Sequence, residues 1–418
     1  MTLATILKGF GKHFEKKSSK GTADDYALSF DSDRYSVFLS HSWQSGRMSK
    51  YLALLFKYSF VPALAVSVIV ALLVGGLHVW GVIPPVGYQS WPEISKQPAP
   101  LYCGVQILGL LSFALTLCTW VEICSALGCV KSVSGSKIFV DKLCIRQDDE
   151  HEKQKGLDSI AGYLRNSDKL LVLWDPTFFS RLWCCFEFAL FLHRYQGMLQ
   201  TSKRMSRMQF SGSKTPNPTC IGGCSCGCCS REVPVEIPIY TEDQPNKPKG
   251  TESSSSVSLK LRTYSSEQEQ STPDSSHAFQ ILPLELSALA FATCATAWSV
   301  CIVYNLLFLI PEVSEGPTYV AALMAMSFLF SFAASGYVRS YCQHRNALKT
   351  QLELFAVSTA DCSEATDRVA LKEVIRQLYS DNSGDSDGVE NFEAFVQTNV
   401  KDVVLALLGP VAAVPPSL

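Results

Sequence analysis

The sequence predicts an α/β protein: a parallel sheet of about five strands, interrupted by two helical hairpins long enough to cross a membrane. Two observations carry this. Between residues 137 and 193, apolar strand-like runs alternate with helix-friendly segments, the strand–helix–strand–helix order of βαβ units. Apolar stretches at 58–80, 101–126, 284–310 and 318–338 each reach the roughly 20 residues that span a bilayer as helix.

Taken in order, residues 1–30 are expected to be an N-terminal tail. Leu3, Ile6, Leu7, Phe10 and Phe14 suit one apolar helix face. Lys8, Lys12, Lys16, Lys17 and Lys20 add the charge of a helix lying on an anionic membrane. Gly9 and Gly11 cost helix stability and tilt the reading toward the tail. The apolar core there is too short for a signal peptide.

Residues 31–57 hold the first strand (35–40) and a helix (48–56) of the α/β domain. Residues 58–126 form the first hairpin, around a proline-rich loop with Trp80 and Trp91 suited to a membrane interface. Lys50, Lys57, Lys131 and Lys137 flank the hairpin while its loop has only Lys96, so the positive-inside bias places both flanks in the cytosol. A buried hairpin of core helices is the competing reading.

Residues 131–240 are the domain core, with a Cys-rich insertion at 197–232. Its strands are expected at 137–140, ending on Asp141, at 168–174, ending on Asp175, and at 233–240. One helix lies at 151–165, and another starts near Ser180 and carries Trp183, Phe186, Glu187 and Leu190. Residues 241–280 are a Ser-rich linker that can bury little and is expected to be disordered. The second hairpin, 284–338, is followed by Arg339, His344, Arg345 and Lys349, again cytosolic. Residues 340–410 complete the domain with a fifth strand within 352–358 and a helix at 365–379.

Composition excludes several classes. A net charge of −2, with 18% charged residues, gives no nucleic-acid surface. Most of the cysteines lie in the apolar stretches or beside the central motif, as reduced thiols do, and not in a small secreted framework. Cys220, Cys224, Cys226, Cys228 and Cys229 are too crowded for a zinc site built from separated pairs, so no metal is assigned; acylation near a membrane suits them better. A calcium loop with Gly388 sixth would begin at Ser383 and put Ala394 where a bidentate Glu is required, so it fails and reads as an acidic turn. Transport is disfavoured because Glu122 and Glu285 sit near span ends and mark no pathway.

In a parallel sheet, ligands gather beyond the carboxyl ends of the strands, which puts His41, Asp141 and Asp175 on one rim. Tyr35-Ser36-Val37-Phe38-Leu39-Ser40, Ile138-Phe139-Val140-Asp141, Ser167, and Trp183-Cys184 with Glu187 four residues after the Trp resemble the TIR domain. The run from Asp141 to Asp149, followed by Arg181, Trp183 and Glu187, is similar to the related fungal heterokaryon-incompatibility (HET) domain. The matches cover under half of the chain. The resemblance implies a flavodoxin-like sheet, self-association into homo-oligomers or with other TIR-like proteins, and signalling; with the apolar stretches and the positive-inside bias, the expectation is a multi-pass protein of the lipid bilayer with both termini cytosolic.

It also implies cleavage of NAD, as substrate and not as cofactor, into nicotinamide and ADP-ribose products, with Glu187 as the catalytic carboxylate. His41, Ser42, Asp141, Asp175 and Trp183 would then hold the dinucleotide. Bond cleavage builds positive charge on the sugar carbon, which a fixed carboxylate stabilises. Asp148, Asp149, Glu150 and Glu152 would repel its pyrophosphate unless they point away. The alternative is a non-catalytic membrane scaffold in which Glu187 is a structural helix carboxylate. Cys184 and Cys185 are read as buried helix residues, because nine residues of helix, about 13 Å, separate Cys184 from His193.

Overall fold

The computed structural model describes residues 1–15, 22–84, 87–91, 95–101, 103–127, 136–146, 148–211, 278–308, 317–362, 365–380 and 387–408. Its helices are α1 (Leu3–Gly11), α2 (Ala23–Tyr26), α3 (Arg47–Val79), α4 (Cys103–Ala126), α5 (Asp141–Cys144), α6 (Glu150–Asp158) and α7 (Ile160–Arg165). They continue with α8 (Leu182–Ser211), α9 (Leu284–Phe308), α10 (Pro317–Glu353), α11 (Ala365–Tyr379), α12 (Gly388–Phe395) and α13 (Lys401–Leu407). The strands are β1 (Val37–His41), β2 (Gly87–Trp91), β3 (Ser95–Leu101), β4 (Ile138–Phe139), β5 (Leu170–Trp174) and β6 (Phe279–Pro283). Helix predominates.

Four strands form one parallel sheet in the order β4-β1-β5-β6. β1 and β5 are buried along their whole length, as strands covered on both faces must be. Their side chains alternate between two cores. Phe38, Phe139, Leu170, Val172 and Trp174 pack with α8, α10, α11 and α12. Val37, Leu39, Ile138, Leu171 and Leu173 face Leu3, Ile6, Phe14, Ala53 and Leu54. From β1 the chain goes outward to β4 and then returns to the other side for β5, so the strand order reverses beside β1. That reversal opens the crevice where parallel sheets bind ligands.

α3 merges two expected elements, since the helix that covers the sheet runs on without interruption into the first apolar stretch. Arg47–Val79 and Ile107–Ala126 are each long and apolar enough to cross a membrane. Only 11% and 22% of their most apolar windows are buried, unlike a hairpin of core helices. Ser67 Oγ donates to the Gly109 carbonyl at 2.7 Å, and Gly109 lies against Ala71, a small-residue contact that lets the two helices approach closely. The second apolar pair is helical too, but its apolar piece among the described residues, Leu284–Cys294, is shorter. Between α3 and α4, where a loop was expected, β2 and β3 pair antiparallel.

Four expectations are corrected. Residues 1–15 are no tail: Leu3, Ile6 and Phe14 are buried, and Met1 and Ile138 exchange backbone hydrogen bonds at the open edge of β4. The helix expected at 151–165 breaks at Ser159 into α6 and α7. The linker ends earlier than 280, because Phe279 already pairs with Leu170 in β6; the strand expected at 233–240 lies outside the described residues. No fifth strand forms at 352–358. α10 persists to Glu353, burying Leu348 and Leu352 at helical spacing. Beyond it, side chains satisfy the backbone that a neighbouring strand would have paired. The Glu393 carboxylate accepts from the Val357 N–H at 2.7 Å, and Gln397 donates to the Phe355 carbonyl at 2.9 Å.

At the supposed calcium loop, Asp387 caps α12 by accepting from the Val389 N–H, and Gly388 lets α12 seat flush on α11. A Cβ at Gly388 would stand 2.3 Å from the Arg376 carbonyl oxygen. Gly388→Ala is expected to lower the stability of the domain by about 2 kcal/mol, read as a fall in melting temperature. Gly162→Ala, with nothing within 4 Å, should be neutral or stabilising.

Candidate functional site

The carboxyl ends of β1, β4 and β5 carry a buried polar cluster. Trp183 and Glu187 are one helical turn apart at the start of α8, so both face the end of β1. Ser40 Oγ donates to Glu187 Oε2 at 2.5 Å, and the Trp183 indole N–H donates to Oε1 at 2.8 Å. Glu187 is 3% exposed. At the end of β4, Asp141 accepts from its neighbour's backbone N–H (Lys142, 2.6 Å) and from the Trp43 indole N–H (3.3 Å). Beyond β5, Asp175 accepts from the Thr177 N–H at 3.1 Å and hydroxyl at 2.8 Å. The Thr177 hydroxyl spends its proton on Asp175, so at 2.8 Å it accepts from the Ser42 hydroxyl.

Two buried cations answer these carboxylates. Arg181 is 6% exposed and its charge favours ionisation of both Asp141 and Glu187. Lys50, from the first turn of α3, is fully buried. Its ammonium has no hydrogen-bond partner among the described residues and lies 5.4 Å from the Trp43 ring centre and 5.7 Å from that of Phe14. His41 stacks edge-on against the same two rings, 5.2 Å from Phe14 and 4.3 Å from Trp43. Phe14, 1% exposed, thus seals the site from the α1 side.

Burial, followed by the Asp141 charge, pushes the Glu187 carboxyl up to about 8. Burial also raises Asp141 and Asp175 against the pull of their hydrogen bonds. It holds the His41 imidazole well below its usual value, helped by Lys50, Arg181 and Lys142, so His41 is neutral at neutral pH. Burial thus works against charge on every carboxyl of the cluster and brings the Lys50 ammonium down to about 8, and Glu187 at about 8 holds its proton at neutral pH. A carboxyl that ionises near 8 can exchange a proton at neutral pH, or release it when a cationic group arrives beside it.

The structure gathers all the expected site residues, His41, Ser42, Asp141, Asp175, Trp183 and Glu187, at the ends of these strands. It adds Ser40, Trp43, Lys50, Thr177 and Arg181. Ser40 is legible as the residue before His41 at a strand end, whereas Lys50 reads from sequence as a charge flanking a span. The acidic loop is managed locally. Arg146 pairs with Asp148 at 3.1 Å, and Asp149 accepts from the first backbone N–H groups of α6. Cys184 and Cys185 are buried in α8, their thiols facing the carbonyls of His41 and Phe179, and burial raises both above the usual thiol range. Residues 197–211 of the expected cysteine-rich insertion instead continue α8, and Cys220, Cys224, Cys226, Cys228 and Cys229 lie outside the described residues. Among those described, no three His, Cys, Asp or Glu side chains are grouped to hold a metal ion.

No family model matches the chain, and neither a curated protein nor a solved structure matches it.

The displaced ionisation of Glu187 makes stability depend on pH. An ordinary glutamate ionises at 4.5, and Glu187 in the folded chain at about 8. Between those values the folded chain holds a proton that the unfolded chain has lost, so stability falls as pH rises from about 4.5 to about 8. Glu187→Gln cannot ionise. Its unfolding free energy should fall less than the wild type's between pH 5 and pH 8, by a few kcal/mol, read as a smaller drop in melting temperature.

Proposed function

We propose that the chain is a membrane-anchored signalling protein of TIR- or HET-like type, whose cytosolic domain has a flavodoxin-like sheet and self-associates. On this reading α3, α4, α9 and the first part of α10 all cross the bilayer and both termini are cytosolic. Its output is cleavage of NAD at the nicotinamide–ribose bond. One observation supports this above the rest: Glu187 sits at the switch point of the parallel sheet, held between Ser40 and Trp183, with Asp141 and Asp175 on the neighbouring strand ends.

The chemistry follows from the charge. The nicotinamide ring of NAD is cationic, so its arrival beside Glu187 favours the ionised carboxylate that burial disfavours. As the glycosidic bond lengthens, positive charge moves to the ribose carbon and that carboxylate stabilises it. Asp141 and Asp175 would accept from ribose hydroxyls, and Lys50 supplies an unpaired donor for phosphate oxygens.

A second reading is favoured by the closure of the site. Glu187 is 3% exposed with both oxygens engaged, as befits a clamp tying α8 to β1 in a non-catalytic scaffold. Nicotinamide release from NAD, measured on the purified protein in detergent at high protein concentration, separates the two. Catalysis predicts release by the wild type and a loss of about 10²–10³-fold in Glu187→Gln. Equal inactivity of two folded, assembled proteins would leave the scaffold.

A further inference from the structure

The last residues of α1 break from helical geometry at Lys8, Gly9 and Phe10 and expose the Phe10 ring. Thr2 caps α1, and Leu3 and Ile6 are buried in the core that includes Leu54 of α3 and Val121 of α4. Leu7 packs on the cluster of Tyr51, Leu55 and Leu117. α1 therefore lies across the foot of the apolar hairpin, at the end that joins the α/β domain. The chain then leaves the helix abruptly. Lys8 is extended, and Gly9, Phe10 and Gly11 are all left-handed, with φ of 62°, 56° and 67°.

For Phe10 that conformation is disfavoured, and its side chain has no polar atom to repay it with a local hydrogen bond. The result is a tip. Phe10 is 65% exposed, its ring edge-on to Tyr51 at 5.7 Å between ring centres, and Lys8 and Lys12 are exposed on either side of it. Gly11 is required here, because with φ of +67° a Cβ would press on Tyr51 and Phe14 at 3.2 Å. In sequence the basic character continues through Lys16, Lys17 and Lys20. The acid that follows, Glu15, faces Arg47 at 3.8 Å.

We propose that residues 8–12 are a membrane-contacting tip that seats Phe10 at the interface of an anionic leaflet, with Lys8 and Lys12 on lipid phosphate and carboxylate groups. This rests on α3 and α4 crossing the bilayer. Tyr51 lies seven residues before Tyr58, where the apolar stretch begins, about 10 Å along the helix. The headgroup layer on each side of a hydrocarbon core of about 30 Å is about 5–7 Å deep, so Tyr51 lies at its outer edge and the Phe10 ring beside it is at the level of the lipid headgroups. An aromatic ring between two lysines is what such a layer accommodates, and each basic residue there gains from the anionic surface.

The test is hydrogen exchange of the full-length protein in lipid discs of phosphatidylcholine alone and of phosphatidylcholine with phosphatidylserine. The amides of residues 8–12 should exchange on the order of tenfold more slowly in the anionic discs. Lys8→Glu with Lys12→Glu should abolish that difference while the helical part of α1, residues 3–7, keeps its protection, showing that the fold survives. Equal exchange in the two lipids would overturn the proposal. So would protection that persists in detergent and tracks protein concentration, which would make the occupant a second copy of the chain. A protein that stays in solution without detergent or discs would instead remove the membrane reading on which the proposal rests.

Discussion

The hydrogen bonds that Glu187 accepts from Ser40 and Trp183 hold the end of the central strand against the first turn of α8. Much else follows from that contact. β1 pairs with both β4 and β5, so fixing its end fixes the register of three strands. α8 begins where Arg181 bridges to Asp361 and the Leu182 N–H bonds the Asp361 carbonyl, so the same turn anchors the segment after α10. A carboxyl with little access to water is expensive to ionise. The structure keeps it by leaving the proton in place and by setting Arg181 against Asp141 nearby.

The same core is tied to the apolar helices. α3 covers one face of the sheet with Ala53 and Leu54, contributes Lys50 to the polar cluster, and continues as a single helix through the first apolar stretch. α10 arrives at the opposite face, where Leu348 and Leu352 join the core and Arg345 donates to the Leu405 carbonyl at 3.0 Å. Each is helical across the join, and in α3 Pro62 removes one helical hydrogen bond between Lys50 and most of the apolar stretch.

What the sequence made legible divides along a physical line. Strands at 37–41 and 170–174 are short apolar runs ended by polar residues, and the Trp183–Glu187 spacing declares one helix face. Local pattern decides all three. Lys50 was misread because a lysine at the head of an apolar helix satisfies the positive-inside bias equally well. Only the packing of α3 under β1 distinguishes the two roles. The missing fifth strand has a similar cause: an apolar run such as 354–357 suits a strand or a core-lining turn, and the long-range contacts with Glu393 and Gln397 choose the turn. β6 is hidden in the sequence because it runs directly into the apolar block of α9, Pro283 ending the strand and Leu284 starting the helix.

Lys50 remains the sharpest tension in the molecule. An ammonium buried between two aromatic rings keeps some cation–π attraction but forgoes its hydrogen bonds, an arrangement that costs stability unless it serves another state. Any ligand that reaches it must move Phe14 or Trp43. Trp43 is held by Asp141; Phe14 is held by packing, in a short turn that follows directly on the exposed Phe10. The seal over the polar cluster and the tip beside the hairpin are thus four residues apart on one segment.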